Sequence, residues 1–138
     1  MAARIDTARF YADESVLGLG KSLAYARHDV VYCGHPVIPE CPLGINDVDW
    51  IPLVAERGLV AIARDKRIRT RSGERLAVKQ SGLRMFTINT TQDIPTWEWL
   101  RLLVRHWRVM EETLVRHPKG PWIYTVNQSR LSAVSLDD

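Results

Sequence analysis

Three carboxylates stand where they could meet around one reacting atom. Asp13 follows the apolar run Phe10-Tyr11-Ala12, with Glu14 beside it. Asp65 follows Val60-Ala61-Ile62-Ala63 through Arg64, and Asp47, with Asp49 two residues on, opens an amphipathic stretch after Asn46. In an open α/β sheet, ligands sit in the crevice beyond the carboxyl ends of the strands, so acids leaving two different strands can converge there. Carboxylates gathered in one crevice repel one another unless a hard cation neutralises them. A Mg²⁺ or Mn²⁺ ion held this way activates water and neutralises charge developing on phosphate oxygens, the two needs of phosphodiester hydrolysis. Asp13, Asp47 and Asp65 are therefore the candidate catalytic and metal-binding residues, with Glu14 and Asp49 as second choices.

Each acid also has an ordinary structural role open to it. Asp13 can cap the following helix, although Ser15 competes for that place. Asp47 is a favoured helix start, and Asp49 lies in a first turn, where the helix dipole welcomes negative charge. Asp65 can pair with Arg64 or Lys66. Their joint occurrence at strand ends and a helix mouth is what favours a shared site. Charge distribution gives a second signal. The net charge of +3 is modest, but Lys66, Arg67, Arg69, Arg71, Arg75, Lys79 and Arg84 face a single Glu74 between residues 66 and 84. A second basic set holds Arg101, Arg105, Arg108, Arg116 and Lys119, with His106 and His117. Such patches suit a polyanion. Arg64, Lys66, Arg67, Arg69 and Arg71, next to Asp65, are the candidate RNA-binding residues.

Other chemistries lack their spacing. Cys33 and Cys41 form no C-x-x-C pair, and His28, His35, His106 and His117 show no ligand spacing, so structural zinc is not expected. Reduced thiols and a cytoplasmic location are the expectation, since no apolar leader or membrane-length run occurs. Ser15 has no nucleophile-elbow context, and Gly18-Leu19-Gly20-Lys21 lacks the P-loop spacing.

The elements that must position the acids follow from periodicity. At 138 residues the chain reads as one domain, with a core over about 9–115 and an extension over 116–138. Strands are predicted at 10–12, 29–33, 59–63 and 83–88, with a hairpin over 122–126 and 131–136. Helices are predicted from Ser15 as N-cap (Val16, Leu17, Leu19, Leu23 and Ala24 inward) and from Asp47 to Gly58 (Trp50, Ile51, Val54 and Ala55 inward). Two more are predicted at 73–80 and 96–115. Gly18 and Gly20 mark a place where backbone or ligand comes close. Residues 34–45, with three prolines and two glycines, read as a loop beside the crevice. In the 96–115 helix, Trp97, Leu100, Leu103-Val104, Trp107, Met110-Glu111 and Leu114 read as a broad apolar stripe, with Trp99 partly exposed on the other flank. The fold class is α/β: a three-layer αβα arrangement around a mostly parallel sheet with a C-terminal β-hairpin.

The segments Phe10-Tyr11-Ala12-Asp13-Glu14-Ser15, Asn46-Asp47-Val48-Asp49-Trp50-Ile51 and Val60-Ala61-Ile62-Ala63-Arg64-Asp65 resemble the PIN-like ribonucleases. The likeness is greatest to VapC-type toxins of bacterial toxin–antitoxin pairs, among them a subgroup with a run like Arg64-Asp65-Lys66-Arg67-Ile68-Arg69. It covers about residues 9–107. The resemblance implies a Mg²⁺- or Mn²⁺-dependent endoribonuclease held inactive by a cognate antitoxin, with Asp13, Asp47 and Asp65 as its metal-binding acids. One departure is plain: the family commonly carries a fourth acid after the next strand, where this chain has Asn89 and Thr90, with Asp93 a few residues late. Expected partners are the antitoxin, the RNA substrate and a second copy of the chain, and no membrane. The 94–115 helix or the 122–126 strand is the expected contact surface. Alternative readings of the same residues are a receiver-like signalling domain, with Asp13, Glu14 and Asp65 as its acids, and a non-catalytic nucleic-acid-binding module.

Overall fold

The computed structural model describes residues 7–64, 72–89 and 94–137. Short runs rich in β-branched and aromatic residues alternate with helices: β1 (Phe10–Ala12), α1 (Leu17–Ala26), β2 (Val30–Tyr32), α2 (Asp47–Glu56) and β3 (Val60–Arg64). They continue through α3 (Ser72–Ser81), β4 (Arg84–Ile88), α4 (Thr96–Arg116), β5 (Trp122–Val126) and β6 (Leu131–Val134). The strands form one sheet in the order β2-β1-β3-β4-β5-β6. β1 to β5 run parallel and β6 returns antiparallel on β5. β1 lies between β2 and β3, with Ala12 opposite Ile62, so the chain leaves β1 and β3 side by side.

Strand alternation divides the core into two layers. Tyr11, Val31, Ala61, Ala63, Met85 and Ile123 face α2 and α3, packing on Trp50, Ile51, Val54 and Val78. Phe10, Ala12, Val30, Val60, Ile62, Phe86, Ile88 and Val126 face α1 and α4, packing on Leu19, Leu23, Leu103 and Met110. Both faces are covered, which is why the parallel strands read as near-continuous apolar runs. Full burial of one such side chain contributes about 1.5–3 kcal/mol. Gly20 lets α1 lie on β1: a Cβ there would stand 2.5 Å from the Ala12 Cβ. Gly58, at φ +72°, turns the chain out of α2 into β3.

The start of α1 differs from the sequence expectation. Asp13, rather than Ser15, caps the chain as it enters a 3₁₀ turn over Glu14–Val16, and the α-helix begins only at Leu17. Leu17 and Ala24 are half-buried. Pro52 sits inside α2 with its ring exposed.

The largest correction concerns α4. Trp97 is 65% exposed, whereas Trp99 is only 9% exposed, the reverse of the expectation. The buried stripe is Trp99, Leu102, Leu103, His106, Met110 and Thr113. Two polar residues hid it. His106 Nε2 lies 3.3 Å from the Gln128 carbonyl, and Thr113 Oγ1 donates to the Val109 carbonyl at 2.8 Å, so both are satisfied inside. Trp107 is half-buried against Phe10 and under the Arg27 guanidinium.

At the amino ends of β1 and β2, Arg9 bridges Asp29 and Glu111 while Arg27 pairs with Asp29 at 2.8 Å. Arg84 is held at that same end of the sheet, donating to the carbonyls of Gly58 and Pro118. It therefore stands at the opposite end of the sheet from Asp13. Among the described residues no helix is long and apolar enough to cross a membrane.

Candidate active site at the carboxyl ends of β1 and β3

Where β1 ends, the Asp13 amide donates to the Ile62 carbonyl at 2.9 Å, tying the site strand to its neighbour. The next residues tighten into the 3₁₀ turn, and the Asp13 carboxylate accepts from the Ser15 amide (3.3 Å) and hydroxyl (2.8 Å). The same hydroxyl oxygen accepts the Arg64 amide at 3.0 Å. Ser15 thus joins the end of β1 to the end of β3 and orients Asp13 between them. Sequence reading weighed it as a helix cap and as a nucleophile, and missed this bridging role. The Asp13-Glu14-Ser15 spacing holds only half the signal, because the other partner lies 49 residues away.

Asp13 is 5% exposed. Burial raises its pKa above the usual carboxylate range; hydrogen bonds from Ser15 pull it back, and the nearby charge of Asp47 pushes it up again. Asp47, half-buried as the first residue of α2, accepts the Trp50 indole N–H at 2.8 Å through Oδ1. Since Trp50 is anchored in the core, that bond fixes the direction of the carboxylate. The charge of Asp47 thus reaches Asp13.

The second-choice acids are placed differently. Glu14 is exposed and its Oε1 accepts the Gly44 amide at 2.7 Å, tethering the proline-rich 34–45 loop. Asp49 is exposed in the first turn of α2. Asp65, Lys66, Arg67, Arg69 and Arg71 lie outside the described residues. Arg64 is only 9% exposed, and its guanidinium lies over the Trp99 ring, 5.4 Å from the centroid. That placement faces it inward, toward the layer formed by α1 and α4. Asn89, beyond β4, is exposed, with its amide donating to the Val126 carbonyl.

The arrangement suits a hard cation. Burial beside another negative charge disfavours the ionised form of Asp13, and a divalent ion relieves that cost. Among the described residues no three His, Cys, Asp or Glu side chains form a ready metal cage; Asp13 and Asp47 are the two carboxylates here that could contribute oxygens to one. The thiols behind the site do not compete. Cys33 and Cys41 are buried and free, and burial pushes the Cys41 thiol up to about 11, so it stays protonated at neutral pH.

A family model described as "PIN like domain" matches residues 8–90, more than half of the chain. The match takes in β1 to β4 and all three candidate acids, and leaves α4, β5 and β6 outside it. No curated protein and no solved structure gives a match.

Proposed function

The chain belongs to the PIN-like domain family, and from that membership we propose that it is a divalent-metal-dependent endoribonuclease acting as the toxin of a toxin–antitoxin pair. PIN domains are in general nucleases, so hydrolysis of nucleic acid is the coarse function. The observation that carries the finer reading is the buried Asp13 carboxylate in the field of Asp47, at the carboxyl end of the strand beside β3. Asp13, Asp47 and Asp65 would hold Mg²⁺ or Mn²⁺, which supplies an activated water and neutralises phosphate charge. The protein's own contribution is orientation: Ser15 aims Asp13, and Trp50 aims Asp47.

The strand order β2-β1-β3-β4-β5 is also that of receiver-like doubly wound sheets. Two observations favour the nuclease. A receiver has no use for Asp47 beside Asp13, and the family match is to a PIN-like domain. The cognate antitoxin remains part of the proposal, with the exposed face of α4 around Trp97 as its contact.

The test is cleavage of single-stranded RNA with and without Mg²⁺ or Mn²⁺. Asp13→Asn and Asp47→Asn keep their hydrogen-bonding shape and lose charge, so each should reduce cleavage at least 100-fold while the protein stays folded. Added Mg²⁺ should raise the Tm of the parent chain and not that of Asp13→Asn, because only the native site binds it. Metal-independent cleavage, or near-normal activity in Asp13→Asn, would sink the reading. Toxicity on expression, relieved by the neighbouring gene product, tests the antitoxin separately.

A further inference from the structure

The hairpin of β5 and β6 leans on α4, and the contact between the Gln128 carbonyl and His106 divides the space between them into two hollows. The upper one, about 510 Å³, has a floor of Leu102 and a rim of Arg101 and Arg105. The lower one, about 370 Å³, is lined by His106 and Tyr124 under Arg116, His117 and Arg130. The upper hollow, which takes in Ile94 and Glu98, lies at the start of α4, the end that touches α1. Thr96, at the start of α4, approaches Gly18 so closely that a Cβ there would stand 2.8 Å from its Oγ1. Trp99, one turn before Leu102, carries the Arg64 guanidinium, and the Arg64 amide is bonded to Ser15.

Charge decides what the trench fits. Glu98, which lines the upper hollow, pairs with Arg101 at 3.2 Å. Among the described residues no carboxylate lies within ion-pair distance of Arg105, Arg116 or Arg130. Three unneutralised guanidinium groups along one trench suit a chain of phosphates, as Arg suits phosphate oxygens in general. The His117 and Tyr124 rings, stacked with centroids 6.1 Å apart, add flat surface of the kind on which unpaired bases stack. At 1.5 Å rise per residue, the run from Arg101 to Arg116 covers about 22 Å, room for several nucleotides.

We propose that this trench holds the single-stranded RNA that extends from the acidic site, with Arg105, Arg116 and Arg130 binding its phosphates. The inference rests on the nuclease reading for its substrate, and it puts a binding surface on the part of the chain outside residues 8–90.

The test measures binding of a fluorescent mixed-sequence single-stranded oligoribonucleotide, about 16 nucleotides long, to the full chain in EDTA, where no cleavage occurs. The triple variant Arg105→Ala, Arg116→Ala, Arg130→Ala should bind at least 10-fold more weakly. Three lost phosphate contacts should also lower the slope of log Kd against log salt by about 2. Arg108→Ala, whose side chain pairs with Glu112 outside both hollows, should leave both quantities unchanged. All three triple-variant positions are exposed, and an unchanged Tm confirms that the fold is intact. An unaltered affinity and slope in the triple variant overturns the trench while leaving Mg²⁺-dependent cleavage, and so the nuclease, standing. Trench-dependent binding without any metal-dependent cleavage does the reverse. If the triple variant keeps RNA and instead loses the neighbouring gene product in a co-expression pull-down, the trench is a protein-docking surface and the proposal falls.

Discussion

Ser15 shows what one hydroxyl can do at a strand end. It donates to the Asp13 carboxylate and accepts from the Arg64 amide, so its proton and one lone pair are engaged by two groups that must stay in register. Ser15→Ala leaves the Arg64 amide without that acceptor and removes the strongest hydrogen bond to Asp13. We expect a loss of about 1–3 kcal/mol in stability, read by chemical denaturation, and a further rise in the Asp13 pKa. Ser15→Thr, which keeps the hydroxyl, should recover most of both. A stability unchanged in Ser15→Ala would show that the bridge contributes nothing. Asp13 and Asp47 were legible as candidate acids because each interrupts or opens an apolar pattern at a place with few alternatives. Ser15 and Trp50 were not, since their roles depend on partners whose direction only the folded chain fixes. The inward placement of Arg64 has a related cause. Strand alternation, which turns Ala63 toward α2, necessarily turns Arg64 toward α4 and Trp99.

At the scale of elements, α1 comes closest to β1 at Gly20, where the helix puts no side chain between them. Gly20→Ala would drive a methyl to 2.5 Å from the Ala12 Cβ and 3.1 Å from the Tyr32 Cβ, neither of which can swing away. Overpacking of this kind costs about 1–3 kcal/mol. Here it also pushes on the last residue before Asp13. The expected result is a lowered Tm together with a fall in cleavage rate larger than the stability loss explains; full activity at a temperature where the variant is folded would refute the coupling. The sequence marked Gly20 as a place of close approach without saying what approaches, and the answer is a neighbouring strand. The strands, the hairpin and all four helices are readable from apolar runs and turn residues. The face of α4 was not, because three tryptophans within eleven positions cannot all be buried by one stripe, and hydropathy does not rank His106 and Thr113 as core.

Across the whole molecule, the two ends of the sheet carry opposite electrostatic tasks. Acids converge at the carboxyl end, while at the amino end Arg9, Arg27, Asp29 and Glu111 satisfy one another. Burial alone would raise the Asp29 carboxyl, but hydrogen bonds and charge from Arg27 and Arg9 outweigh it and hold the pKa below the usual range. A carboxyl held low in the folded state contributes stability that is fully present above its unfolded pKa of about 4. That contribution is lost as pH falls through the lower folded value. Asp29→Asn should therefore lower the Tm at pH 7 and converge on the parent protein near pH 2. A difference in Tm that persists undiminished into acid would assign the effect to packing instead.

The strand order has a kinetic meaning. Once β1 has paired with β2, every later strand is laid on the edge left by an earlier one: β3 on β1, β4 on β3, β5 on β4 and β6 on β5. No strand has to insert between two that are already joined, so assembly can proceed in chain order with short loops closing first. The layer of Phe10, Ile62 and Phe86 is covered only in part, by α1, until α4 arrives. In the folding transition state the contacts of β1 and β3 are then largely made, and those of α4 are not. Ile62→Val should chiefly slow folding, whereas Leu103→Ala should chiefly speed unfolding. A stopped-flow chevron that assigns both losses to the same limb would rule out this order of events. If the order holds, the residues of the acidic site are in register before the helix that flanks the RNA trench has docked.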